Sequence, residues 1–203
     1  MMATTELTAA AEPAAQTIAT GRVGALGGWK VGVSDVYIEP LRAELVFWTN
    51  ASGAPWESTQ IVMPGQVVFA DGAVYRVQMA PGAAGGSVDL APAVAPPGPG
   101  LPADAVILAA GGGVRVDGPD IATATDIRVL RWSPDEQQPQ SVEVEFWPAK
   151  WGRAATKPED FRRVELTVGA HARFGHTDAV VVSLAGATAD HPGWVVLHLS
   201  RGS

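Results

Sequence analysis

The chain reads as an all-β protein built of two tandem, structurally similar small β-sandwich or β-barrel units, with little or no helix. Three observations point there. Apolar and polar residues alternate with a period of two in several segments, which marks strands with one buried and one wet face. Glycine and proline are abundant, at 23 and 16 of 203 residues, leaving little room for long helices. Finally, short segments of the first half recur, in order, in the second.

The alternation is clearest in Ala73-Val74-Tyr75-Arg76-Val77-Gln78-Met79, where Tyr75, Val77 and Met79 share one face. Ser141 to Phe146 and Val164 to Val168 behave alike. The continuous run Ala179-Val180-Val181-Val182 suggests a strand covered on both sides. Between Val67-Val68-Phe69 and Val74-Tyr75 stands Asp71-Gly72, a pair that tolerates the positive φ of a tight hairpin. The one helical expectation is a single turn near Lys157-Pro158-Glu159-Asp160-Phe161.

Five segment pairs carry the recurrence, at offsets growing from 85 to 107 residues. Gly27-Gly28-Trp29-Lys30-Val31 is matched with Gly112-Gly113-Val114-Arg115-Val116, and Asp35-Val36 with Asp126-Ile127. Glu44 to Trp48 pairs with Glu143 to Trp147, Ala73-Val74-Tyr75 with Ala179-Val180-Val181, and Gly86 to Leu90 with Gly193 to Leu197. A growing offset is what longer loops in a second copy would produce. The expected units are 16–94 and 104–200, joined by a Pro/Gly-rich, semi-rigid linker at 95–103. Residues 1–15 read as a flexible N-terminal segment, and 201–203 as an expression remnant.

Composition narrows function. At 47% hydrophobic and 17% charged residues, the chain can bury a real core. A formal net charge of -7, spread evenly, opposes nucleic-acid binding, which rests on neutralising phosphates. The absence of cysteine removes disulfides and thiolate metal sites. Neither a basic start followed by an apolar run nor a stretch long enough to span a bilayer is present. No membrane insertion is therefore expected, and a cytoplasmic or particle-associated location is.

Catalytic sets are hard to assemble. There is no Gly-x-Ser-x-Gly elbow; a triad of Ser183 with His176 or His191 and Asp178 or Asp190 would be pattern-making. Glu143 and Glu145 read as solubility devices on a wet strand. The Gly-rich stretches at Gly82 to Gly86 and Gly111 to Gly113 lack a following Lys-Ser/Thr, so they read as turns and not phosphate loops. All four histidines fall in the second unit. Of these, His171 and His176 lie with Asp178 around one hairpin, a weak metal candidate that competes with ordinary solvated histidines. His198 reads as a strand surface residue. No cofactor and no enzymatic activity are expected.

The tryptophans are the better clue. Phe47-Trp48 and Phe146-Trp147 each end a strand, and each is followed by a loop with a second tryptophan, Trp56 and Trp151. The second loop also carries Lys150, Arg153 and Lys157, with Arg162 and Arg163 after it. Loop aromatics suit a protein partner or a sugar ring, and the basic residues suit an acidic surface. Trp56, Trp151, Lys150, Arg153 and Lys157 are thus the candidate binding residues. The alternative is that the tryptophans only cap a sheet edge.

Pro64-Gly65-Gln66-Val67-Val68-Phe69, then Tyr75-Arg76-Val77 and Ser87 to Val94, resembles the small β modules of tailed-phage virion proteins. The likeness covers about Gln60 to Leu108; the second unit lacks the Pro-Gly and the Pro-Ala tail. It implies an assembly role, as decoration or connector in a virion, and no catalytic residue. The expected function is therefore a non-catalytic β protein that binds a protein partner or assembles into a larger particle. A glycan-binding module and a metal-dependent enzyme at the His/Asp residues are the alternatives.

Overall fold

Strands alone, with no helix, make up the regular structure of residues 14–49, 56–82, 85–93, 100–102, 104–116, 124–148 and 161–201, which the computed structural model describes. The first half holds β1 (Gln16–Ala19), β2 (Val23–Leu26), β3 (Trp29–Ile38), β4 (Leu41–Thr49), β5 (Trp56–Val62), β6 (Val67–Ala70), β7 (Ala73–Ala80) and β8 (Ser87–Ala93). The second holds β9 (Ala105–Ala109), β10 (Gly113–Val116), β11 (Thr125–Ser133), β12 (Ser141–Pro148), β13 (Arg162–Thr167), β14 (His171–Phe174), β15 (Thr177–Ala185) and β16 (Trp194–Arg201). The expected turn at 157–161 lies, apart from Phe161, outside the described residues.

The strands form three sheets. One long sheet of eight has the order β13-β12-β11-β10-β5-β4-β3-β2; two short sheets run β1-β8-β7-β6 and β14-β15-β16-β9. Each half gives four strands to the long sheet and four to a short sheet packed on its inner face. The pairing order of the first eight strands recurs in the last eight. Within each half, two strands bend from one sheet into the other. Gly21 (φ +74°) and Gly65 (φ +78°) form the bends β1–β2 and β5–β6, and Gly111 and Gly169 form those of the second half. Such a left-handed corner favours glycine.

Hydrogen bonds at these corners set the equivalence of the halves. The Gly21 N–H donates to the Val33 carbonyl (2.7 Å) and that of Gly111 to Val129 (3.0 Å); Gly65 donates to Val77 and Gly169 to Val181 (both 2.8 Å). A register shift follows both Val33 and Val129. Two of the five sequence matches agree with this frame. Leu45 and Val144 face Val33 and Val129, and Leu90 and Leu197 face Val77 and Val181. The other three are corrected. Gly27-Gly28 is the β2–β3 turn, whereas Gly112-Gly113 leads into β10, so the place of Gly111 is taken by Gly21. The place of Asp35 is that of Arg131, and Ala179 corresponds to Tyr75. Residue likeness slipped where connections differ in length, while backbone bonds did not.

Three apolar clusters follow from the layers. Phe47, Leu45, Val77 and Leu90 lie in the first half's core, and Phe146, Val144, Leu197 and Leu199 in the second's. A third cluster joins the halves: Phe69 and Val74 of one short sheet against Ala105, Ile107 and Val196 of the other. This is why β6 is apolar on both faces and β7 is so at Val74. Val182 packs on the same cluster while Ala179 and Val181 enter the second core, so the apolar run of β15 is largely covered on both sides. Gln66 is buried at the join, where its Nε2 donates to the Ile107 carbonyl (3.0 Å) and its Oε1 accepts the Met63 N–H (3.1 Å).

Candidate binding groove

The outer face of the eight-stranded sheet carries the polar half of every alternating strand. On β4, Ala43, Leu45 and Phe47 point inward, so Arg42, Glu44, Val46 and Trp48 point outward. On β12, Val142, Val144 and Phe146 point inward, which turns Glu143, Glu145 and Trp147 outward. Both Phe-Trp pairs are thereby resolved: phenylalanine in the core, tryptophan half-buried on the outside. Neither Trp48 nor Trp147 caps a sandwich from within.

At the centre of this face β5 pairs with β10, joining the halves in antiparallel register: Gly113 opposite Ile61, Arg115 opposite Thr59. A groove of about 160 Å³ runs along the join. The first half contributes Arg42, Glu44, Thr59 and Ile61 to it; the second contributes Arg115, Asp126, Arg128 and Trp147 among others. A two-pronged ion pair between neighbouring strands β10 and β11 lines the second half's side of the groove, Arg115 Nε to Asp126 Oδ1 at 2.8 Å and Nη2 to Oδ2 at 3.1 Å. This geometry fixes both planar groups. The Arg42 guanidinium lies 4.7 Å from the Tyr37 ring centroid, a cation–π contact. Phe161 supports Trp147, with ring centroids 5.7 Å apart at 41°.

Ion pairs continue toward β13: Arg131 with Glu143 (2.5 Å) and Arg163 with Glu145 (2.7 Å). Glu145 is buried beneath its arginine, and Glu143 and Glu145, expected as solubility devices on a wet strand, each hold an arginine partner. The hydroxyl of Ser141 on β12 donates to the carboxylate of Glu165 on β13. That bond, with a second from Ser133, holds Glu165 below the usual carboxylate range; desolvation opposes it and the charge of Arg131 assists. Beneath the groove, Ser58 and Gln60 are buried polar residues on β5, bonded Gln60 Nε2 to Ser58 Oγ at 3.4 Å.

Of the binding residues expected from sequence, Trp151, Lys150, Arg153 and Lys157 lie outside the described residues. Trp56 opens β5 opposite Thr49, so it belongs to a strand end and not to a loop; its side chain lies outside the description. Arg163 is held by Glu145, and the Arg162 Nη1 donates to the Arg173 carbonyl (2.8 Å). The weak metal trio is brought together in part. His171 Nδ1 lies 3.8 Å from an Asp178 oxygen, and His176 sits exposed at the tip of the β14–β15 hairpin. No group of three or more metal-ligating side chains occurs among the described residues.

His191 Nδ1 is 3.0 Å from the Pro192 carbonyl and its ring is 5.2 Å from that of Trp194. His198 is bound to Asp104 at 3.1 Å, a contact the sequence did not suggest across so long a separation. The groove itself was missed in sequence, because its two walls come from strands of different halves. The alternation made visible only that one member of each Phe-Trp pair faces outward. Among the described residues, the groove lining contains no histidine, lysine or serine beside its acids. Such a surface can stack, pair charges and fit a shape. Among the described residues, no helix is long and apolar enough to cross a membrane. No protein-family model, no curated protein and no solved structure matches the chain.

Proposed function

We propose that this chain is a non-catalytic β protein that works by contact, binding a protein partner or taking a place in a larger particle. A virion component is the setting that its sequence resemblance suggests. The observation that carries the reading is the groove on the outer sheet face. It is an aromatic-walled hollow lined by a fixed arginine–aspartate pair, at the join of two halves held rigid by a shared sheet and a common apolar cluster. Rigid presentation of an aromatic and planar charged groups keeps the entropy cost of association low.

A protein surface suits this groove better than a sugar, because Trp147 already lies against Phe161 and offers less of its ring for stacking. The test is photo-crosslinking in the native source. A photoreactive amino acid is placed at Thr59 or Arg128 in the groove, and at Gln78 on the first half's short sheet as control. Covalent adducts to a protein are expected from the groove positions and not from the control. Absence of protein adducts at both groove positions would overturn the reading.

A further inference from the structure

Among the described residues, the eight-stranded sheet ends on two strands, β2 and β13, each with a neighbour on one side only. Inside the molecule their counterparts pair with each other. β5 stands where β13 stands in the other half, β10 stands where β2 stands, and β5 hydrogen-bonds to β10. The internal join is thus head to tail, and every chain keeps one unused half of it at each end. Contacts of this kind do not close on themselves unless the rotation makes a ring. We propose that copies of this chain associate head to tail, β13 of one against β2 of the next, in the register of the internal join.

The register can be carried over residue by residue. Internally, Gly113 faces Ile61 and Arg115 faces Thr59. The corner hydrogen bonds of Gly21 and Gly111, and of Gly65 and Gly169, make Val23 the counterpart of Gly113 and Glu165 that of Ile61. Val23 of one copy would then face Glu165 of the next, and Ala25 would face Arg163.

The groove argues that the occupant is a second copy. Trp48 lies in a shallow hollow with Gly21, Val23 and Gly32 at the β2 end, the counterpart of the Trp147 wall. At the β13 end, Glu143, Arg163 and Glu165 line another hollow, at the places of Glu44, Thr59 and Ile61. Each end is half of the groove built at the centre, and docking would complete it.

Two features make this contact weaker than the internal one. Phe69, Val74, Ile107 and Val196, which seal the halves together, have Arg173, Asp178, Thr17 and Asp89 as counterparts at the free ends. In addition, the outward N–H of Ala25 is already taken by the Gln16 Oε1 at 3.2 Å, a guard on the open edge. Association is therefore reversible and favoured by concentration, and the β2 guard must swing aside.

The inference rests on the assembly reading, and its test is separable from that one. The chain has no cysteine, so Val23→Cys with Glu165→Cys introduces a single reporting pair at two exposed sites. Within one chain these stand at opposite ends of eight strands, on the order of 30 Å apart, beyond the reach of a disulfide. Mild oxidation should give a ladder of dimers, trimers and larger species on a non-reducing gel. It should form several-fold faster than with the off-register pair Val23→Cys and Thr167→Cys. Sedimentation of the unsubstituted chain should show a coefficient that rises with concentration. A monomer throughout, or a ladder formed equally by the off-register pair or by either single variant, overturns head-to-tail pairing. Adducts to a different protein in the crosslinking experiment would leave the contact reading standing.

Discussion

Phe47 and Trp48 are neighbours on β4 with opposite surroundings: the phenylalanine is wholly buried, whereas the tryptophan lies across Gly32 on the outer face. Phe47→Ala should therefore cost about 3–5 kcal/mol in urea unfolding, as removal of a core aromatic does. Trp48→Ala should cost about 1–2 kcal/mol, because only part of its area leaves water. Equal losses would contradict the orientation described. Alternation alone told that one member of each Phe-Trp pair faces out. Which one did depended on the inner neighbours, Leu45 in β4 and Val144 in β12, whose parity follows from the whole strand. The fate of the histidines was less legible. His198 on β16 meets Asp104, just before β9 and far away in the sequence, and a contact of that kind leaves no local pattern.

The β6–β7 hairpin shows how much one element owes to its turn. Asp71 (φ +49°) and Gly72 (φ +77°) both adopt the left-handed conformation that a two-residue hairpin demands. Asp71 does a second job, since its Oδ2 accepts the Gly28 N–H at 2.7 Å and ties this turn to the β2–β3 turn. Asp71→Ala loses both, and a destabilisation of about 1–2 kcal/mol is expected from thermal or urea melts. The hairpin was legible in Asp71-Gly72; the tie was not, because it links turns of different sheets.

At the β13 edge, Glu165 is held below the usual carboxylate range first by the Ser141 hydroxyl. Ser141→Ala should raise its titration midpoint toward the ordinary value near 4.5, read by NMR. A depressed carboxyl adds stability above its unfolded-state pKa and loses it as pH falls through the folded one. The variant should therefore be less sensitive to acid than the parent in that window. An unchanged Glu165 midpoint would show that the serine is not the cause.

The whole molecule depends on the join. The β5–β10 pairing makes one sheet of two halves, and the Phe69 cluster seals the short sheets against each other. The unsubstituted chain should unfold in one transition, with tryptophan fluorescence and far-UV circular dichroism coincident. Phe69→Asp puts an unpaired charge into the cluster and should separate the two probes into two steps. A single coincident transition in that variant would mean that the strand pairing alone couples the halves.

By itself, the amino-acid sequence determined the all-β class, the hairpin at Asp71-Gly72, the face each alternating strand buries and two of the five segment matches. All of these depend on local steric preference and on a period of two, which neighbouring residues record. Tertiary structure alone decided which strands meet at the join, that Phe69 and Val74 are covered from outside, and that Trp147 and Arg42 share one groove. Those contacts are set by the pairing of strands far apart in the chain. Loop lengths shift that pairing freely, so residue likeness at a fixed spacing could not find it.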